Sequence, residues 1–476
     1  MYYRIANLIV KTRRGRVEIS GKIQQNEAVI SRIFSSQAAG ITSASLILAA
    51  SALLSRLFGL LRDRLLAGMF GAGEELDMYF AAFRIPDFIF AVFVLGGLSA
   101  VFLPLFSEYR EKNSKEAWEF VSNLLHVLVI ALGALALVLA LFAPYLIGFV
   151  APGFTAEQRE TAASLTRIML LSPILFGMSS VFSGVLHYFN RFFAYALAPV
   201  VYNLGILGGI FFFAPSLGIW GVAWGVVAGA FLHLAIQVPA ALVSGFSWKP
   251  KLDIKNWAIR RALALALPRT IGGTAYEINL IAMTAFASFL SAGSIAVFTF
   301  ADNLQHAPVG FIGVSLALAS FPVLSRAYAA KQKEGFQDAL LSTARKVVFL
   351  VFPISVFLFL FREYIVRLIF RTGVFGSQDV QLVAAVFGVF TLGIVFQALI
   401  PLFVRAFFAL QDTKTPTLIG IASVCFNILA AFVLFQAFAG FENMRILALP
   451  AALVASGFLQ CLFLAYFLWK KTKTAF

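Results

Sequence analysis

The chain has little charge and almost no cysteine: 12% of its 476 residues are Asp, Glu, Lys or Arg, and two are Cys. A soluble protein of this length is usually two or three domains with a charged surface. At 61% hydrophobic residues and a mean hydropathy of +0.90, no such surface is available here. Cys425 and Cys461 lie far apart within apolar runs, which reads as two small buried hydrophobes and not as a disulfide or metal site. The sequence contains no G-x-x-x-x-G-K-[ST] loop, GxSxG, HExxH or CxxC, so neither ATP hydrolysis nor a conventional enzyme site is expected. His126, His187 and His233 are scattered, as core or interfacial histidines are and metal ligands are not. Neither a metal nor a cofactor is expected.

What the chain does have is long apolar runs. A span needs roughly 20 residues, because the hydrocarbon core is about 30 Å thick and a helix rises about 1.5 Å per residue. Twelve runs qualify, near 41–66, 76–107, 119–150, 160–189, 193–214, 219–245, 262–290, 293–325, 343–370, 380–410, 416–440 and 446–469. In lipid the backbone must satisfy its own hydrogen bonds, so these are helices and the fold class is all-α, polytopic membrane protein. Most of the 37 Lys and Arg fall in one alternating set of connections and in the two tails. The opposite set holds only Arg159, Arg362, Arg367, Arg371 and Arg445. The positive-inside bias therefore puts both termini in the cytoplasm. It also explains the net charge of +15 without a nucleic-acid partner. Residues 1–37 are polar and basic, too weakly apolar for a signal peptide, and read as a cytoplasmic tail.

The second half echoes the first. "SAVFLPLFSEYREK" from Ser99 resembles "LASFPVLSRAYAAK" from Leu318, and "LFAPYLIGF" from Leu141 resembles "LFREYIVRL" from Leu360. Ser107 and Ser325, Tyr145 and Tyr364, and Pro199 and Pro416 are each separated by 217 to 219 residues. Such a steady offset indicates an internal repeat. Six spans per half make it a parallel one, of the kind in which substrate moves between two rocking halves. The expected organisation is a tail (1–37), a first six-helix lobe (38–245), a linker (246–261), a second lobe (262–470) and a short tail (471–476), around a central cavity. The linker is rich in Trp, Lys and Arg, which reads as an amphipathic segment on anionic lipid headgroups.

The charges inside spans are the functional signal. "SRLFGLLRDRLLAGMFGAGEELDMYFAAFRIPDF", from Ser55 to Phe88, places Arg56, Arg62, Asp63, Arg64, Asp77, Arg84 and Asp87 along two spans. Charges in a bilayer cost a few kcal/mol each on insertion scales and normally face a bundle interior or a wet cavity. Arg56 and Asp63 are seven apart and share a helix face, as do Asp77 and Arg84. The excess of arginine suits a phosphate or diphosphate, which its planar fork grips through two bonds. The bland alternative is a set of ion pairs that lock the two helices together. The second half is less basic, with Arg269, Glu277, Asp302, Asn303, Gln305 and His306 in its first two spans. Glu277 is the candidate for coupling to a monovalent cation or proton, or for pairing an arginine of the first half.

The Ser55–Asp87 stretch resembles the opening signature of the MurJ (MviN) family of lipid II flippases, within the superfamily of multidrug and polysaccharide exporters. The similarity continues through "APGF" (Ala151–Phe154), "NRFFAYALAP" (Asn190–Pro199), "ASFLSAGSIAVFTFADNLQHAPVGFIGVSLA" (Ala287–Ala317) and "QDTKTP" (Gln411–Pro416), over roughly 41 to 470. The resemblance implies export of lipid II, the undecaprenyl-diphosphate-linked peptidoglycan precursor, to the outer leaflet of the bacterial cytoplasmic membrane by alternating access. It further implies that Ser55, Arg56, Arg62, Asp63 and Asp77 contact or position the substrate, with Arg84, Asp302 and Asn303 as further candidates. The expected partners are that substrate and membrane lipids, and the expected state is a monomer.

The sequence departs from the family pattern at three positions. An arginine four residues after the second-span proline is here Phe90, an acidic residue five further on is Leu95, and the eighth-span "ADR" reads Ala301-Asp302-Asn303. Many members also have fourteen spans, the last two forming a lipid-tail groove, so that groove is expected to be absent or formed differently. The lost arginines leave room for another polyprenyl-diphosphate glycan as substrate. A cation-coupled small-molecule exporter and an inactive, partner-binding homologue are the other readings.

Overall fold

The computed structural model describes residues 41–93 and 99–474; the basic tail and Leu95 lie outside them. Nine principal helices build each half. The first half comprises α1 (Ile41–Phe70), α2 (Glu74–Phe90), α3 (Ser99–Lys112), α4 (Ser114–Leu141), α5 (Ala143–Val150), α6 (Ala156–Met169), α7 (Leu171–Tyr188), α8 (Phe192–Gly208) and α9 (Ile219–Ala235). The second comprises α10 (Trp257–Ala287), α11 (Ser294–Pro308), α12 (Ser315–Ala329), α13 (Lys333–Leu360), α14 (Arg362–Phe370), α15 (Ser377–Thr391), α16 (Ile394–Ala409), α17 (Lys414–Ala437) and α18 (Ala448–Thr474).

The repeat read from three landmarks is visible in how the helices pack. In the first half α8 packs on α9, α1 on α8, α2 on α6, α4 on α7 and α7 on α9. Adding nine to each label gives the contacts of the second half: α17 on α18, α10 on α17, α11 on α15, α13 on α16 and α16 on α18. Among the described residues, eight helices are long and apolar enough to cross a membrane. The number is nine if α15 and α16, bent by 47° at their junction, count as one span. The other three expected spans, 41–66, 76–107 and 262–290, are helical where described and carry most of the intramembrane charges.

Local chemistry sets the breaks. Asn113 caps α4 by accepting from the Lys115 amide, and Thr155 and Gln158 form a reciprocal capping box at the start of α6. Pro308 ends α11, and the backbone widens into a π-helix over Val309–Val314 before α12. Wide turns of this kind loosen a span where something must approach it. Within the 246–261 linker, residues 246–256 run without helix and 257–261 begin α10. The linker is stapled to α4: Asn123 donates to the Asp253 carbonyl at 2.9 Å and accepts from its amide at 2.7 Å, while Lys251 pairs with Glu119 at 3.0 Å. Trp248, Leu252 and Ile254 stay exposed along it. Of the two free cysteines Cys461 is buried, but Cys425 is exposed on α17.

The cores are distributed unequally. Connections 71–73, 151–155, 288–293 and 371–376 lie at the end of the bundle away from residues 41 and 474, and there one continuous apolar cluster runs through both halves. Phe80 of α2 meets the edge of Phe300 of α11 at 5.6 Å, and Phe300 in turn lies 4.9 Å from Phe370. Near the opposite end each half has a core of its own, around Phe106, Trp118 and Phe246 in the first and around Phe336, Phe407 and Leu464 in the second. The halves are thus welded at the far end and packed separately at the terminal end.

Candidate functional site

Arg56 is the most open of the intramembrane charges. It projects from α1 onto span eight, where its Nη1 donates to the His306 carbonyl at 3.3 Å and its guanidinium lies 4.9 Å from the centre of the Phe311 ring. The approach depends on Gly310, since a Cβ there would collide with the guanidinium. No carboxylate is paired with Arg56 among the described residues, so its charge remains available to an anion. Ser55 beside it is held to α8, its carbonyl and hydroxyl each accepting from Asn203 at 3.2 Å.

Arg62 and Asp63 are paired to each other. Both Nε and Nη2 of Arg62 reach Oδ1 of Asp63, at 3.0 and 2.8 Å. Asp63 is 4% exposed at its side chain and Arg62 is 22% exposed, so the pair presents its cationic edge. The second carboxylate oxygen accepts from Asn303 of α11 at 2.9 Å. Asn303, where the family motif has an arginine, therefore completes the buried carboxylate from across the seam between halves.

Asp77 and Arg64 face protein instead of a cavity. Buried Asp77 accepts from the amides of Gly293 and Ala296, at 2.7 and 2.8 Å, and so caps α11 of the other half. A carboxylate is the natural partner of those amides, because a helix N-terminus carries partial positive charge. Arg64 does the reverse at a helix end, donating to the Leu368 and Ile369 carbonyls near the end of α14, both at 2.6 Å. The Val374 amide bonded to the Gly68 carbonyl and the Gly153 amide bonded to Ser288 complete a polar clasp at the far end.

Arg84 is buried, its Nε donating to Thr284 at 2.9 Å and its Nη2 to Thr299 at 3.3 Å. It lies close enough to Asp87 and Glu277 for their charges to act on it. Neither carboxylate is in an ion pair among the described residues, and both are half-buried. Asp302 is buried in a network of its own half: Tyr276 donates to Oδ2 at 3.1 Å, Gln305 donates to Oδ1 at 2.8 Å, and His306 Nε2 sits 3.5 Å from Oδ1. The Tyr276 hydroxyl is 2.8 Å from the same His306 nitrogen. Phe90 packs 5.0 Å from Phe176, which meets the edges of Tyr202 and His233. An aromatic cluster thus stands where the family pattern has a charge.

Tyr276, Thr284, Thr299 and Asn203 belong to this constellation, yet sequence reasoning did not single them out. His306, four residues after Asp302, was legible as a helical neighbour; the others carry no local signal. Among the described residues no three His, Cys, Asp or Glu side chains gather as a metal site.

Residues 66–476 match the family model described as "Lipid II flippase MurJ". A probable lipid II flippase MurJ of Buchnera aphidicola is 32% identical over 377 residues, covering 78% of this chain and 73% of that protein. The lipid II flippase MurJ of Burkholderia cenocepacia is 30% identical, over 80% of this chain and 76% of its own. A solved lipid II flippase MurJ in an inward closed conformation superposes with a TM-score of 0.76 at 26% identity, covering 89% of this chain and 87% of that one. A multidrug resistance MATE family transporter in an inward-facing conformation shares the fold alone, with a TM-score of 0.73, 14% identity and coverage of 90% and 98%. The match over most of the sequence and the shared helix arrangement place this multi-pass membrane protein in the MurJ family of lipid II flippases.

Proposed function

We propose that this protein moves lipid II from the cytoplasmic to the outer leaflet of the bacterial cytoplasmic membrane, as a monomer with both termini in the cytoplasm. The lobes of the cycle are 38–245 and 262–470, joined by the 246–261 linker. Arg56 is the observation that carries the assignment of a site: a guanidinium inside a span, unpaired with any carboxylate among the described residues and set at the seam between halves, suits a diphosphate. The cationic edge of Arg62, held by Asp63, is the second contact. Ser55 acts through the α1–α8 contact, and Asp77 through the clasp that must open for release outward.

Alternating access then means breaking the far-end clasp while the terminal-end cores come together. Glu277, near Arg84 and Asp87, is the residue for coupling to a proton or monovalent cation, because its charge acts on the arginine that bridges the halves. The aromatic cluster at Phe90 favours a second reading, in which the glycan on the polyprenyl diphosphate differs from that of lipid II. Expression in cells depleted of their own lipid II flippase tests the choice. Growth and lipid II arrival at the outer leaflet should be restored by the parent chain and lost with Arg56→Ala. A chain that inserts and fails to rescue would refute lipid II as its substrate.

A further inference from the structure

A cavity of about 890 Å³ lies wholly within the second half, bounded by α10, α11, α16, α17 and α18. Its size falls in the range of small-molecule sites, roughly 300–1,000 Å³. Its lining is unusual for a helix bundle in lipid. Asn279, Gln397 and Gln460 contribute amides, and Thr417, Ser423 and Ser456 contribute hydroxyls. Polar side chains at such depth are costly and normally mark a substrate path.

Some of these groups satisfy one another: Ser423 and Ser456 are 2.7 Å apart, and Ser423 donates to the Gln460 carbonyl oxygen at 3.3 Å. The Gln460 amide nitrogen has no partner in these bonds, and the Gln397 side chain makes no hydrogen bond among the described residues. Asp302 and His306 form one wall, and among the described residues no Lys or Arg lines the cavity. The chemistry therefore rejects a diphosphate, which needs cations, and suits a neutral ligand rich in amides and hydroxyls. The cavity also meets the anion site, because the His306 carbonyl accepts the hydrogen bond from Arg56.

We propose that this cavity receives the amide- and hydroxyl-bearing glycan–peptide portion of the substrate while its diphosphate stays at Arg56 on the seam. The inference rests on the reading of the chain as a flippase of a lipid-linked glycan and adds a subsite to it. Gln397 and Gln460 are specificity residues in this scheme, their free donors reaching glycan or peptide carbonyls and hydroxyls.

The test uses the full chain in lipid nanodiscs and three probes: lipid II, undecaprenyl-diphosphate-linked disaccharide without peptide, and undecaprenyl diphosphate alone. Gln397→Leu and Gln460→Leu should each weaken lipid II binding by about tenfold, the worth of one buried hydrogen bond, and leave undecaprenyl diphosphate binding unchanged. The disaccharide probe then separates the two sources of the chemistry: loss with it assigns glycan contacts, and loss with lipid II alone assigns peptide contacts. Gln397→Glu, which keeps the side-chain length, guards against a misfolded Leu variant and should show the same selectivity. Equal losses on all three probes, or none on any, would overturn the subsite while the flippase reading stands. A parent chain that binds undecaprenyl diphosphate no more weakly than lipid II would overturn it too. A parent chain that binds none of the three would sink both.

Discussion

Asp63 on the first span accepts a hydrogen bond from Asn303 on the eighth, 2.9 Å away across the seam between halves. Because Asp63 is almost fully buried, that bond decides whether its second oxygen is satisfied. Asn303→Ala should cost about 1–3 kcal/mol, the usual penalty for an orphaned buried acceptor. Asn303→Arg, which restores the family's residue, should be tolerated, since a guanidinium offers the same donor. Thermal unfolding of the purified variants measures both. Equal stability of Asn303→Ala and the parent would mean that water supplies the missing donor.

The two candidate substrate arginines should behave differently on removal. Arg62→Ala leaves the Asp63 carboxylate buried without its cation, a loss of roughly 3–5 kcal/mol. Adding Asp63→Asn should recover most of it, because the remaining charge is then gone. Arg56 makes one hydrogen bond at 3.3 Å and is exposed, so Arg56→Ala should change stability by less than about 1 kcal/mol. Lipid II flipping, assayed in proteoliposomes, should nevertheless fall at least tenfold, about the value of one charge-assisted bond. A flipping rate at the parent level would place the diphosphate elsewhere.

The far-end clasp depends on a residue that only glycine can fill. Gly293 has φ of +89° and lies against the Ala72 backbone, so a side chain there is both strained and in collision. Gly293→Ala should pull α11 off Asp77 and open the end where the two halves share a core. Hydrogen exchange read by mass spectrometry would detect it. The amides of Ala296 and Val374, bonded to Asp77 and to Gly68, should exchange faster in the variant while those of α4 do not change. Unchanged protection at both would show that the apolar cluster alone holds the halves.

Much of this was legible before the structure. Apolar runs located the helices, because span length in lipid leaves little choice, and three landmarks at one offset disclosed the repeat that the helix contacts reproduce. The charged stretch was also visible as the candidate functional region, but periodicity gives only the face of a helix, not what that face meets. Asp77 and Arg84 do share a face, and it is buried against the second half. Their partners, Gly293, Ala296, Thr284 and Thr299, lie some 200 residues on and have no charge to betray them. The same limit hid the cavity of the second half, whose amides and hydroxyls are unremarkable one at a time along five helices.

At the terminal end, Lys471 near the end of α18 is paired with Asp412 in the turn before α17. Burial works against ionising Asp412, but hydrogen bonds from Lys471 and from the hydroxyl and amide of Thr415 outweigh it and hold the carboxyl at about 2. An unfolded aspartate titrates near 3.9. A carboxyl lowered in the folded state stabilises above the unfolded value and loses that contribution as pH falls through the folded one. The tie should therefore be complete above about pH 4 and gone near pH 2. Asp412→Asn should lower the midpoint of thermal unfolding by roughly 1 °C at pH 7, as expected for a partly exposed pair worth up to about 1 kcal/mol in a chain of this size. The gap between variant and parent should shrink as the pH is taken from 4 towards 2. A gap that stayed constant over that range would mean that Asp412 acts through its hydrogen bonds to Thr415, which asparagine cannot fully replace, and not through its charge.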